Sequence, residues 1–364
     1  MNLRLRRPLW QTRWPRVVWV LLGALWLVSC SPAPPAALWR IAVNPWVGYE
    51  PWVFAQEMGA LPPAVRVVEL ASNTETKRAF RNGLIEVAAL TLDEALRLAD
   101  EGQALHIVAV LSDSAGADAV LARADVAASL AASTSTSAPS KAMQPLRIGL
   151  ERTALGELML AHWLDKARLT LADVQPVHME AADHENALTS RQVDMLVTFE
   201  PMKTRLEQRG AVKVLDTREL PGEVVDVLVA RPGLDTARLA ELLLAWDHAR
   251  QRLTLVSGPP PWLAAGVDLT PTQYLQTLEG LRFLSLADML QRLQPDLSQA
   301  GPAAAPLAQG GQAMSTVLQS LGLIRQPPDW VSLLNPAPLA LALTRAPQSA
   351  TAAADHPSVS GGRP

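Results

Sequence analysis

Polar and aromatic side chains recur where the apolar runs of this sequence end. Residues 44–51 (NPWVGYEP) follow a short apolar run and contain Trp46, Gly48 and Tyr49. Two aromatic rings can stack on a ligand, and a glycine lets the backbone approach a bound group. A helical pattern opens at Glu50, so the loop lies at a helix N-terminus, where free N–H groups favour polar or anionic groups. The segment therefore predicts a binding loop; the alternative is an ordinary loop whose aromatic residues pack on neighbouring elements.

The same arrangement of polar residues after an apolar run occurs several more times. Apolar runs alternate with helical patterns along the chain, and this alternation predicts a mostly parallel sheet with helices on both faces. Ligands bind such sheets at the carboxyl ends of the strands, so polar residues at these ends are predicted to bind the ligand together with the first loop. These residues are Ser72, Asn73, Thr74, Thr91, Asp93, Ser114, Asp118, Thr153 and Glu200. Ser72, Asn73 and Thr74 are also good N-cap types, so simple helix capping is an equal alternative for them.

No arrangement typical of an enzyme accompanies these residues. The sequence contains no nucleophile elbow and no phosphate-binding loop. Two histidines, His178 and His184, are spaced closely enough to suggest a metal pair but are more typical of surface or capping residues. Acids at strand ends, such as Glu151 and Glu200, more often accept hydrogen bonds from a solute or cap helices than catalyse hydrolysis. We therefore expect no enzymatic activity, no catalytic residue, no metal site and no cofactor.

The first 29 residues are typical of a targeting segment. Five arginines and no acidic residue precede an apolar run at 17–28. That run has the length of a signal-peptide core and is shorter than the roughly 20 residues of a membrane-spanning helix. Residues 27–30 (LVSC) resemble the bacterial lipobox, so Cys30, the only cysteine, is predicted to be the lipidated first residue of the mature protein. The alternatives are a cleaved signal with an incidental thiol and an uncleaved anchor.

The composition describes a large and acidic protein. The chain has 364 residues, of which 49% are hydrophobic and 18% are charged, so it can bury a large core. Its length favours two domains. Removing the leader with its five arginines lowers the formal charge from −3 to −8. A protein of that charge is not expected to bind nucleic acid.

Two similar segments divide the chain. Residues 118–123 (DAVLAR) and 226–231 (DVLVAR) flank one complete α/β series. Paired crossovers of a hinge would have this arrangement, whereas chance similarity between common residues is the alternative. We predict an α/β fold of two doubly wound lobes joined by a two-strand hinge. The predicted boundaries are a tether at 30–38, a first lobe at 39–122 plus 226–340, a flexible low-complexity insert at 123–145, a second lobe at 146–215 and a disordered tail at 346–364.

Six segments together resemble the solute-binding proteins of ABC importers, and more narrowly the nitrate/sulfonate/taurine and thiamine-pyrimidine-precursor family. They are NPWVGYEP at 44–51, SNTETKRAFRNG at 72–83, LTLDEALRLADEG at 90–102, SAGADAVLAR at 114–123, TFEPMKTRLEQRGAVKVLD at 198–216 and SLGLIRQPPDWVSLLNPAPL at 320–339. The resemblance implies a type II periplasmic binding fold. It also implies a monomeric, membrane-anchored periplasmic lipoprotein that delivers a small solute to a permease and its ATPase. An enzyme similar to a thiamine-pyrimidine-precursor synthase and a sensor lipoprotein of the same fold are the alternatives.

The sequence leaves the charge of the solute open. Helix N-termini beside the candidate residues favour an anionic group such as a sulfonate, with Arg152 as a candidate partner. The acids Asp113, Asp118 and Glu200 instead favour a hydrogen-bond donor or a cation, and the two aromatic residues suit a ring or an ammonium group. Both signals together favour a zwitterion or a nitrogen-rich heterocycle. The expected solute is therefore sulfonate- or taurine-like, nitrate-like or pyrimidine-like.

Overall fold

A computed structural model describes residues 37–134, 145–256, 259–294 and 305–352. The predicted leader and Cys30 lie outside these ranges. The strands are β1 (Trp39–Val43), β2 (Val65–Glu69), β3 (Val87–Thr91), β4 (His106–Ser114), β5 (Asp118–Ala122), β6 (Leu146–Leu150), β7 (Val174–His178), β8 (Met195–Phe199), β9 (Val212–Asp216), β10 (Val225–Ala230) and β11 (Leu281–Phe283). The helices are α1 (Glu50–Glu57), α2 (Asn73–Arg81), α3 (Leu92–Asp100), α4 (Ala124–Thr134), α5 (Ala154–Ala167), α6 (His184–Thr189), α7 (Met202–Gln208), α8 (Thr236–Gln251), α9 (Pro261–Gly266), α10 (Pro271–Glu279), α11 (Leu286–Leu293), α12 (Pro306–Ser320), α13 (Trp330–Leu333) and α14 (Ala337–Ala352).

The strands form two separate sheets. One sheet has six strands in the order β2-β1-β3-β10-β4-β11, and the other has five in the order β7-β6-β8-β5-β9. We call the parts of the chain around them the first and the second lobe. Each sheet contains an antiparallel strand near its centre: β10 between β3 and β4, and β5 between β8 and β9. The two sheets therefore repeat one topology, which confirms the predicted α/β fold of two doubly wound lobes.

Burial along the strands follows their position in the sheets. The central strands β3, β5 and β10 are buried at every residue, and their sequences are almost continuous apolar runs, as expected for strands covered on both faces. The edge strands β2 and β7 expose several of their residues. Local hydrophobicity thus distinguishes the middle of each sheet from its edge.

The two crossings between the lobes touch each other. The hydroxyl oxygens of Ser114 and Thr217 lie 2.7 Å apart, and the backbone N–H of Gly116 donates to the Thr217 hydroxyl at 2.8 Å. Gly116 has a φ of 117°, which a residue with a side chain rarely adopts. The chain therefore passes from one lobe to the other at a single, hydrogen-bonded place.

Three predicted boundaries differ from the structure. The strand at 118–122 was expected in the first lobe but pairs with β8 and β9 of the second, because the chain crosses at 115–117, before the strand begins. Residues 124–134 of the expected flexible insert form α4, whose many alanines favour a helix. The expected disordered tail begins inside α14, which extends to Ala352. The remainder of the insert and of the tail lies outside the described residues.

Candidate functional site

A cavity lies between the lobes where the strand ends of both sheets meet. The space free of protein atoms there, including the part that opens to solvent, is about 370 Å3. The first lobe contributes Asn44, Trp46, Tyr49, Asn73, Thr91 and Asp226, and the second contributes Asp118, Glu151, Thr153, Leu155 and Phe199. Carboxyl ends of parallel strands and amino ends of the two antiparallel strands share this edge, which is where doubly wound sheets bind ligands. We call this space the interlobe cavity.

Asp226 anchors the aromatic loop that follows β1. Its Oδ2 accepts hydrogen bonds from the Trp46 indole at 3.0 Å and from the Ser112 hydroxyl at 2.6 Å, and its Oδ1 accepts one from the Tyr49 hydroxyl at 3.0 Å. Both aromatic residues and Asp226 are buried. Because charge-assisted hydrogen bonds are among the stronger ones, the two aromatic residues are held in fixed orientations.

Gly48 is needed for this anchoring rather than for approach to a ligand. A Cβ built on Gly48 would lie 2.9 Å from Trp46 Cδ1 and 3.1 Å from Asp226 Oδ2. Any larger residue would therefore push the indole away from its acceptor. The predicted binding loop lines the cavity through Trp46 and Tyr49, whereas Gly48 lies behind it.

Asp118 and Asp226 occupy equivalent places in the two sheets. Each lies at the start of the antiparallel strand, in the two segments whose similarity is visible in the sequence. Sequence analysis proposed Asp118 for the site but not Asp226. The similarity of the two segments indicates that these two aspartates are equivalent, and it could have identified Asp226 as well. The structure brings both carboxyl groups to the interlobe cavity.

Several acceptor oxygens around the cavity have no hydrogen-bond partner among the described residues. They include Asn44 Oδ1, Asn73 Oδ1, Asp118 Oδ2 and Glu151 Oε1. Asn73, Asp118 and Glu151 are all more than nine-tenths buried. Because buried polar atoms are normally hydrogen-bonded, an unpartnered cluster at one cavity indicates a place where a ligand supplies the partners.

The acids of the cavity hold their protons unusually tightly. Burial raises the pKa of Asp118 to about 8, and the negative charges of Asp226 and of the neighbouring Asp93 act in the same direction. Burial also raises the pKa of Glu151 to about 7. The pKa of Asp226 rises only to about 6, because the hydrogen bonds from Ser112, Trp46 and Tyr49 oppose the effect of burial. The site can thus change its charge near neutral pH.

Of the residues proposed from sequence, six line the cavity. These are Trp46, Tyr49, Asn73, Thr91, Asp118 and Thr153. Thr153 also caps α5, because its hydroxyl accepts the Gly156 N–H at 3.0 Å. Thr91 begins α3 at the end of β3.

Other proposed residues lie in helices or in the crossing beside the cavity and do not line it. Ser72 caps α2 by accepting the Glu75 N–H at 3.3 Å, Thr74 lies half-buried in that helix, and Ser114 belongs to the crossing between the lobes. Asp93 is buried in the first turn of α3, where burial and the charge of Glu94 raise its pKa to about 7.

Both carboxylate oxygens of Glu200 accept hydrogen bonds at the start of α7. Its carboxylate accepts the Thr204 N–H at 3.0 Å, the Thr204 hydroxyl at 2.9 Å and the Lys203 ammonium at 2.9 Å. It is absent from the residues that line the cavity. The helix-start alternative therefore describes Glu200 better than a role in ligand contact.

Sequence analysis left five lining residues out of the proposed site. They are Asn44, Glu151, Leu155, Phe199 and Asp226. Asn44 directly follows β1 and Glu151 directly follows β6, two strands with the same place in their sheets, so their equivalent positions were a usable signal. Phe199 ends β8 and meets Trp46 edge to face, with ring centroids 5.7 Å apart. Because that contact joins residues of the two lobes, neither the sequence around Trp46 nor the sequence around Phe199 could predict it.

Direct hydrogen bonds also cross between the lobes. The Ala154 N–H, at the start of α5, donates to Glu94 Oε1 of α3 at 2.8 Å. The Arg205 guanidinium donates to the Val267 carbonyl at 2.7 Å. With the Trp46–Phe199 contact, these bonds hold the lobes against each other around the cavity.

Two further properties concern metals and membranes. Within the described ranges, no group of three or more His, Cys, Asp or Glu side chains is arranged to hold a metal ion. In the same parts of the chain, none of the helices has the length and apolar character needed to cross a bilayer.

Solved structures share this architecture. The alkanesulfonate-binding protein SsuA from Xanthomonas axonopodis pv. citri, solved with MOPS, is 16% identical and matches with a TM-score of 0.61 over 83% of this chain and 99% of its own. The periplasmic aliphatic sulphonate binding protein SsuA from Escherichia coli is 17% identical, with a TM-score of 0.60 over 82% of this chain and 92% of its own. The periplasmic nitrate-binding protein NrtA from Synechocystis PCC 6803 is 14% identical, with a TM-score of 0.60 over 90% and 92%. The fold is therefore that of the type II periplasmic binding proteins, as predicted.

The sequence itself places the chain in a family. The model of the NMT1-like family matches residues 32–253, which is more than half of the chain. This protein belongs to the NMT1-like family. Comparison with curated proteins found no match.

Proposed function

We propose that this protein is the extracytoplasmic solute-binding component of an ABC importer and captures one small nitrogen- or sulfur-containing organic solute. The observation that carries the proposal is the interlobe cavity, which both lobes line with polar and aromatic side chains. A concave site with a few convergent polar groups is the usual form of a small-molecule site. The sulfonate- and nitrate-binding proteins with the same fold support this proposal.

Capture would occur by closure of the lobes about their shared crossing. Ser114 and Thr217 meet at that crossing, whereas the Trp46–Phe199 contact and the Ala154–Glu94 hydrogen bond lie across the cleft. Opening would break the contacts across the cleft and keep those at the crossing. Hinge motion of this kind absorbs the movement in a few residues between rigid bodies.

The proposal includes a place in the cell envelope. Cys30 would be lipidated after removal of residues 1–29 and would anchor the protein on the periplasmic side of a membrane. A tether then connects the anchor to β1. From there the protein would pass its solute to a membrane permease driven by an ATPase.

A ligand screen followed by solution scattering tests this function. Thermal shift identifies binders among sulfonates, nitrate, amino acids, guanidines and pyrimidines, because a ligand of the folded state raises apparent stability. Each binder should then reduce the radius of gyration in small-angle scattering. Trp46→Ala is the control and should lose both responses while remaining folded. Binding that leaves the radius of gyration unchanged for every ligand contradicts capture by closure.

A further inference from the structure

Every described side chain that lines the interlobe cavity and can carry a charge near neutral pH is a carboxyl group. Three carboxyl groups line the cavity, those of Asp118, Glu151 and Asp226, and no lysine or arginine is found among the lining residues that the structure describes. Asp226 uses both oxygens to hold the aromatic loop and Ser112. Asp118 Oδ2 and Glu151 Oε1 have no partner among the described residues, and both side chains are more than nine-tenths buried. Two carboxyl oxygens without a described partner therefore belong to residues that line the cavity.

The cations near these acids are engaged by other carboxylates. Lys77 pairs with Glu94, and Lys203 pairs with Glu200 at 2.9 Å. Arg152, the candidate partner for an anion, is exposed and does not line the cavity. Among the described residues, therefore, no positive side chain lines the place where an anionic solute would be bound.

The uncharged side chains of the lining also favour a positively charged solute. Asn44 Oδ1 and Asn73 Oδ1 add two unpartnered acceptors from the first lobe. Trp46, Tyr49 and Phe199 add aromatic surface, which attracts cations through the ring quadrupole. Acceptors together with aromatic rings suit a solute that carries several N–H donors and a positive charge.

We propose that the solute is a small organic nitrogen cation of the guanidinium, amidinium or ammonium type, held between Asp118 and Glu151 of the second lobe and the aromatic loop of the first. This inference rests on the proposed function and specifies its solute. A sulfonate or nitrate at this place would meet carboxyl groups and unpartnered acceptor oxygens with no lysine or arginine among the described lining residues, whereas a cation would favour the ionised form of the carboxyl groups. The site therefore differs in charge from what the names of its sulfonate- and nitrate-binding neighbours would suggest.

Calorimetry with small probes of both charges tests the proposal. The cationic probes are methylguanidinium and ethylammonium, and the anionic probes are nitrate and ethanesulfonate. We expect the cations to bind wild-type protein and the anions not to bind. Asp118→Asn and Glu151→Gln should each weaken cation binding by about tenfold or more, the scale of losing a hydrogen bond to a charged group. Asp165→Asn removes an exposed acid from α5 and should leave binding unchanged.

A pH series on wild-type protein gives a second readout that needs no variant. Methylguanidinium keeps its charge between pH 5 and 9, so any change in its affinity reports on the protein. Its affinity should rise with pH as the cavity acids lose their protons. The charged groups that act on Asp118 are Asp226, Asp93 and Glu200, and those that act on Glu151 are Glu180, Glu94 and Lys77.

The outcomes separate this inference from the proposed function. Binding of nitrate or ethanesulfonate that neither amide variant weakens would overturn the cation assignment and leave the solute-binding function standing. Failure of both cations to bind at millimolar concentration would also overturn the assignment. If, in addition, no compound of the broader screen binds or compacts the protein, the result also contradicts the proposed solute-binding function.

Discussion

Asp118→Asn should change how the stability of the empty protein depends on pH. The pKa of Asp118 is raised from its usual 3.8 to about 8 in the folded protein, chiefly by burial. A carboxyl group with a raised pKa takes up a proton on folding. Its contribution to stability is therefore complete below pH 4 and is lost as pH rises towards 8. The loss has a limit of about 1.4 kcal/mol per pH unit for one proton. Asparagine cannot ionise and removes this slope.

The magnitude follows from the width of the interval. Four pH units at that limit give an upper bound of roughly 6 kcal/mol, and a relaxed site with water access will show less. We expect Asp118→Asn to match wild type near pH 4 and to be more stable by several kcal/mol near pH 8. The other cavity acids are present in both proteins, so the difference between the two curves reports on Asp118 together with its charge coupling to Asp226 and Asp93.

Urea unfolding followed by tryptophan fluorescence measures the effect. The midpoint should shift between variants at high pH, and the slope with urea should stay constant, since the area exposed on unfolding does not change. Asp165→Asn, at an exposed position of α5, is the control and should run parallel to wild type at every pH. Parallel curves for Asp118→Asn and wild type from pH 4 to 8 would refute the account of a buried carboxyl group that must give up a proton.

Two further predictions concern residues outside the cavity. Glu200→Gln should lower the free energy of unfolding by about 1.5 to 3 kcal/mol and leave affinity for a cationic probe unchanged, because its carboxylate bonds to Lys203 and Thr204. Glu207→Gln is the control on the same helix, and a loss of affinity in Glu200→Gln with unchanged stability would contradict the capping role. Cys30→Ser should release the protein from the membrane fraction or block its processing, and a mutant that keeps its lipid label would disprove anchoring through this residue.

The strands could be predicted well because their signal is local. Apolar runs such as those of β3 and β6 mark buried strands wherever they occur, and each is bounded by polar or glycine residues. The sheet to which a strand belongs is a tertiary property. Residues 118–122 have the same sequence character as β10 and could be assigned to either lobe, until the crossing at 115–117 placed them in the second.

The residues of the candidate site also differ in whether a local sequence rule can predict them. Trp46 and Thr91 follow the ends of their own strands, so the rule that ligands bind at carboxyl ends identified them. Asp226 is the second residue of the antiparallel strand β10, and the rule for carboxyl ends does not cover the amino end of such a strand. Asp118 has the equivalent place but was proposed because it follows the polar residues that end β4. Glu200 was proposed as a ligand-binding residue but is not among the residues that line the cavity. A carboxylate at a strand end has the same sequence context whether it faces a cavity or accepts hydrogen bonds from the next helix.

The touching crossings make the protein modular. Both ends of the second lobe leave the first at one place, where Ser114 and Thr217 meet, so the second lobe has the architecture of a domain inserted into a loop of its host. Loops of this kind accept exchange of the inserted domain, because the ends to be joined are already adjacent. The second lobe, which is the inserted one, contributes Asp118 and Glu151 to the interlobe cavity. The first lobe contributes Asp226 and the aromatic loop that it anchors. Exchange of one inserted domain for another would therefore change the carboxyl groups offered to the solute while preserving the aromatic loop with Trp46 and Tyr49.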